Sequence, residues 1–186
     1  MTLLSELGTL GLGKLAFSAV FLVCGVAASS QDQATGLMLD QSASVISDPL
    51  SGTDNPHAIP GALIEFTIRL TIPATGVDSV SGLRFENPVP ATMVLCTDNW
   101  AGPDMGPVVW TDGPVKSGLS LNFISLVNTG DSIAFSNDGG ASWDYQPQLN
   151  RPCDPDITNL RIVPVGTIDS SGTPTSFSVQ YRMQVR

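Results

Sequence analysis

A chain of 186 residues holding 18 glycines, 14 prolines and only 13% charged residues has room for one ordinary domain plus end segments. Abundant turn formers and β-branched residues, with few Lys and Glu, argue against a helical protein and for an all-β one. The formal net charge of −9 argues against a nucleic-acid partner, whose phosphates demand clustered Lys and Arg.

Residues 1–28 read as a signal peptide. Lys14 and the amino terminus carry positive charge, with Glu6 an untidy neighbour. The apolar run from Leu15 to Ala28 is about fourteen residues, short of the roughly twenty that span a bilayer. It ends in Val26-Ala27-Ala28, small residues that place cleavage after Ala28. The alternatives are a lipoprotein signal at Cys24, where bulky Val23 stands in a small-residue position, and a retained anchor. The reading is export to the medium or cell surface, through the periplasm in a Gram-negative cell, with no membrane span in the mature form. Removal of the leader leaves Cys96 and Cys153, and two cysteines in an oxidising compartment imply one disulfide. The alternative is two separate buried thiols. Two cysteines and one distant histidine do not make a zinc site.

Residues 29–46 form an N-terminal extension or first strand, in which Leu37, Leu39, Ala43 and Val45 alternate with Met38, Asp40, Ser42 and Ser44. After a turn-rich connection, Ile64, Phe66, Ile68, Leu70 and Ile72 alternate with Glu65, Thr67, Arg69 and Thr71, the period of a strand with one buried face. Shorter pieces follow around Leu83 and Phe85, Thr92 to Cys96, Pro107 to Thr111, Leu119 to Phe123, Ile133 to Phe135, and Leu160 to Ile162. Phe177, Val179, Tyr181, Met183 and Val185 mark a last strand. Seven to nine short strands with frequent turn signals predict a β-sandwich over residues 47–186.

One hairpin carries a recognisable pattern. Ser136-x-Asp138-x-Gly140-x-Ser142-Trp143 resembles the Asp-box, with Ser142 in place of its Thr. Asp138 is expected to accept turn amides, Gly140 to take positive φ, and Trp143 to fold back over the turn. In sialidases this hairpin is structural, and the clustered arginines of such enzymes are missing.

These stretches together resemble a conserved-repeat domain of unknown function in bacterial and archaeal surface proteins. Asn55-Pro56-His57-Ala58-Ile59-Pro60-Gly61 is similar to that family's Asn-Pro-Lys-x-Ile-Pro-Gly opening, with His57 departing from it. Asn87-Pro88-Val89-Pro90-Ala91-Thr92 is similar to its Asp-x-x-Pro-x-x-Thr segment, with Asn87 in the Asp position. The resemblance runs from about Ser42 to Arg186. It implies an immunoglobulin-like sandwich serving as a secreted or surface module, usually in tandem copies, whereas one copy stands here.

Catalytic constellations are not legible. His57 lies in a proline-bounded turn with no Gly-x-Ser-x-Gly elbow elsewhere, and Glu65 and Glu86 fall on outward faces of strands. No cofactor is implied. Asp138, Asp154 and Asp156 offer loop oxygens to calcium but lack the spacing of an EF-hand, and acidic turns explain them as well. Two readings remain. The first is an exported, non-catalytic structural subunit that assembles with itself or with other surface proteins, its extension inserted as a donor strand into a neighbour. The alternative is a monomeric glycan- or protein-binding module, with Trp100, Trp110, Trp143 and Tyr145 on loops at one end. Whether the extension packs in cis, as the domain's own first strand, or in trans stays open at this point.

Overall fold

A computed structural model of the chain describes residues 36–75, 79–169 and 172–186, together with the backbone course of 21–24. Residues 1–20 and 25–28 of the expected leader and residues 29–35 of the extension lie outside the described residues. Thirteen strands and no helix occur among them: β1 (Phe21–Cys24), β2 (Met38–Ser47), β3 (Leu63–Ile72), β4 (Ser79–Ser81), β5 (Leu83–Pro88), β6 (Met93–Cys96), β7 (Val108–Asp112), β8 (Leu119–Ser120), β9 (Ile133–Ser136), β10 (Cys153–Asp154), β11 (Asn159–Ile162), β12 (Val165–Asp169) and β13 (Thr175–Val185).

All pairing is antiparallel. A six-stranded sheet runs β10-β6-β13-β3-β2, with β7 sharing the β6 edge of β13. A four-stranded sheet runs β1-β5-β11-β9, and β4-β12-β8 form a small third sheet. The centre of the large sheet is the ladder between β3 and β13, paired from Thr175↔Ile72 to Gln184↔Leu63. β3 alternates along its length, and β13 does so from Phe177 to Met183. Ile64, Phe66, Ile68, Leu70 and Ile72 are buried on β3, and Phe177, Val179, Tyr181 and Met183 on β13, while their neighbours point outward. The two faces of the pleat thereby sort apolar from polar side chains.

The inner face of the large sheet packs on Leu83, Phe85, Ile133, Phe135, Leu160 and Ile162 of the smaller one, in one continuous hydrophobic core. Phe85 meets Phe177 edge to face, with ring centroids 6.1 Å apart, and Trp110 stacks on Phe177 at 4.1 Å. One polar link sits inside this core. The Asn87 side-chain amide donates to the Tyr181 hydroxyl at 2.6 Å, both residues being buried. Burial pushes the Tyr181 phenol well up from its ordinary value.

The strand count exceeds the seven to nine expected through β1, which falls in the stretch read as a leader, β4 and β10, which have only two or three residues and show no period, and β12, which buries only Ile168. Elsewhere the expectation runs too long. Alternation at Leu119, Leu121 and Phe123 predicts a strand through 123, but pairing with β12 stops at Ser120. Beyond it the backbone turns outward, and the Asp131 carboxylate accepts the amides of Ile124 and Ser125. No helix among the described residues is long and apolar enough to cross a membrane.

Candidate functional site

Cys96 and Cys153 face each other as direct partners between β6 and β10 and form a disulfide across a sequence separation of 57. Beside it three loops converge. Residues 97–106 leave β6, residues 121–132 precede β9, and residues 146–152 lead into β10. They enclose an open groove of about 530 Å³, lined in part by Asp98, Asp104, Phe123, Ile124, Leu149 and Arg151. Volumes of this order suit a ligand or an inserted side chain.

The loops are held at their roots. Thr97 N–H donates to the Pro152 carbonyl, Asn99 Oδ1 accepts the Gly106 amide, and Trp100 Nε1 donates to the Pro107 carbonyl. Gly106 has φ of 72° and lies flat under Phe123, where a Cβ would come within 2.9 Å of the ring. On the third loop, Asp154 is fully buried and accepts the Tyr145 hydroxyl at 3.0 Å, the Gln148 amide at 2.8 Å and the Asp156 amide at 3.0 Å. Burial, then the hydrogen bond to Asp154, raises the Tyr145 phenol above its ordinary range. The groove therefore has stiff walls. Its tips are free: Leu149 is 72% and Ile124 65% exposed, and Asp98, Asp104 and Arg151 make no ion pair or side-chain hydrogen bond among the described residues.

The Asp-box hairpin lies apart from this groove. Asp138 Oδ1 accepts the Ser136 hydroxyl at 2.7 Å and the Ser142 amide at 2.9 Å, and Oδ2 accepts the Ser142 hydroxyl at 2.8 Å. Gly140 has φ of 91°, and Trp143 folds back so that its ring lies 3.3 Å from where a Cβ on Gly140 would sit. These hydrogen bonds, the Ser142 amide foremost, hold the Asp138 carboxyl at about 2. Its folded value lies below its unfolded one, so its stabilisation is complete above about pH 4 and disappears as pH falls towards 2. Asp138→Asn is expected to lower the thermal midpoint at pH 7, and the gap from the unaltered protein to close by pH 2. A gap that persists unchanged at pH 2 would refute this account.

The aromatics considered for sugar stacking are each engaged. Arg182 covers Trp100 at 3.8 Å, Arg161 covers Trp143 at 3.7 Å, Trp110 lies on Phe177, and Tyr145 holds Asp154. Glu65 pairs with Arg182 at 3.0 Å and Glu86 with Arg161 at 2.8 Å, on different sheets, so the two carboxylates do not meet. The described residues contain no group of three or more His, Cys, Asp or Glu side chains placed to hold a metal ion.

Leu37 and Val45 pack on the core edge, while Leu39 shares the inward side of β2 yet remains 37% exposed. The segment lies in cis, laddered onto β3 from Met38↔Thr71 to Ser47↔Leu63.

The turn after β2 holds a feature that sequence reading missed. Asp48 is only 6% exposed, and its carboxylate accepts the amides of Leu50 at 2.7 Å, Ser51 at 2.6 Å and His57 at 2.7 Å. These bonds, those from Ser51 and His57 first, hold its carboxyl below the usual range. The signal was present, because Asp-Pro-x-x-Gly is a turn sequence in which the aspartate caps its own loop.

No family model matches the chain, and neither a curated protein nor a solved structure matches it.

Proposed function

We propose that the chain is an exported, non-catalytic structural subunit that assembles into a fibre or coat at the cell surface, with β2 as the strand passed between copies. The observation that carries this reading is the state of β2. It spans ten residues, bonds only to β3 among the described residues, and exposes much of both faces. Its outer N–H and C=O groups form an unpaired edge, and Asp40 is the only charge along it. Long edges are ordinarily blunted by Lys, Pro or a covering loop, and one left open is a template for another chain. The ladder from β2 to β3 transfers to a neighbour without loss of hydrogen bonds, since the same pairs reform in trans.

The likeness of residues 55–61 and 87–92 to the surface-protein repeat supports the same placement, as an immunoglobulin-like module outside the cell. A disulfide between Cys96 and Cys153 is compatible with that compartment. The engaged ring faces of Trp100, Trp110 and Trp143 weigh against a glycan-stacking module.

The test is negative-stain electron microscopy of the chain from residue 29 onward, beside a form lacking residues 29–46. The longer form is expected to give regular filaments or sheets, and the shorter one to stay folded and dispersed. Filaments from both would sink the role of β2, and dispersed monomers from the longer form would sink assembly altogether.

A further inference from the structure

We infer that the loop held by Asp48 docks, Leu50 foremost, into the groove beside the disulfide of a second copy. This rests on the assembly reading and names the surface that receives the neighbour.

Leu50 is the most exposed large apolar side chain among the described residues, at 85%. It is not on a loose tip. Asp48 and Gly52 exchange both backbone hydrogen bonds, and the Asp48 carboxylate fixes the Leu50 and Ser51 amides from within. The other oxygen of that carboxylate fixes the His57 amide, so one buried group orders the whole loop. A leucine presented to water on a preorganised turn has its ordering entropy already spent, the property that makes a binding anchor.

The receiving groove offers apolar walls at Phe123, Ile124 and Leu149 and one cation, Arg151. Arg151 and Asp54, the latter exposed four residues beyond Leu50, have no ion-pair partner among the described residues and complement each other in charge. Within one molecule the two surfaces belong to opposite edges of the large sheet. The loop continues from β2 at one edge, and the groove flanks β6 and β10 at the other. A contact from one edge to the opposite edge of the next copy is head-to-tail, so it repeats from copy to copy as a fibre requires. The knob reaches the same edge whether β2 lies on its own β3 or on a neighbour's, because it travels with the strand.

The test uses the chain from residue 29 onward with Leu50→Asp or Leu149→Asp, both at exposed positions, so each variant is expected to melt at the temperature of the unaltered protein. Sedimentation should show each variant alone as short species, with the concentration needed for assembly raised roughly tenfold or more. Mixed in equal amounts, they should give species longer than either variant gives alone and shorter than the filaments of the unaltered protein. The Leu149→Asp copy supplies an intact knob and the Leu50→Asp copy an intact groove, while the remaining two surfaces are blocked. Wild-type filament formation by both variants would overturn the docking and leave assembly through β2 standing. A monomeric unaltered protein at all concentrations would overturn both. Short species from each variant with no lengthening on mixing would also overturn it, by showing that the two residues do not face each other.

Discussion

Replacing Cys96 and Cys153 together with serine lowers stability by about 4 kcal/mol and the thermal midpoint by about 10 °C. The closed loop of 57 residues runs from the end of β6, through β7, β8, β9 and all three groove loops, to the start of β10. Cutting the cross-link lets this long segment explore far more conformations when unfolded, and the folded sheet must offset that entropy. The two strands cannot compensate, since β10 pairs through only Cys153 and Asp154. Thermal melting with and without reductant, and of the double serine variant, measures the effect. A midpoint within a degree or two of the oxidised protein would show that hydrogen bonds around Asp154, and not the cross-link, hold the segment.

Phe177→Ala is expected to cost about 4 kcal/mol, read as a fall in the urea midpoint. Phe177 is 1% exposed and fills the space between the sheets. Its ring takes the face of Trp110 on one side and the edge of Phe85 on the other, so truncation removes two aromatic contacts and leaves a void that β-strands cannot close. The near-ultraviolet dichroism of Trp110 should weaken in the same variant. Loss of stability with that signal intact would mean Trp110 is ordered by its own strand and not by the stack.

Where the sequence was transparent, the reason was a physical one. β3 and β13 bury one side and wet the other along nearly their full length, so a period of two is written into them. β12 was opaque because only Ile168 of its five residues is buried, leaving no alternation to see. Leu121 and Phe123 misled because they pack beside the core without joining a ladder, and Phe123 lines the groove. That groove is assembled from segments that are distant in the chain, and nothing in any one of them announces the others. Asp48 was legible in principle from its turn sequence. What could not be read was that the turn would leave Leu50 standing in water.

The position of β13 within the large sheet has a consequence for how the protein is made. It is the last strand in the order of synthesis, yet it is the central one, contacting β3, β6 and β7. Until residue 175 arrives, β3 has only β2 beside it and β6 only β10. The large sheet therefore completes late, through contacts between distant segments, which is slow. The ladder from β3 to β13 joins segments far apart in the chain, and its closure sets the pace at which the large sheet forms.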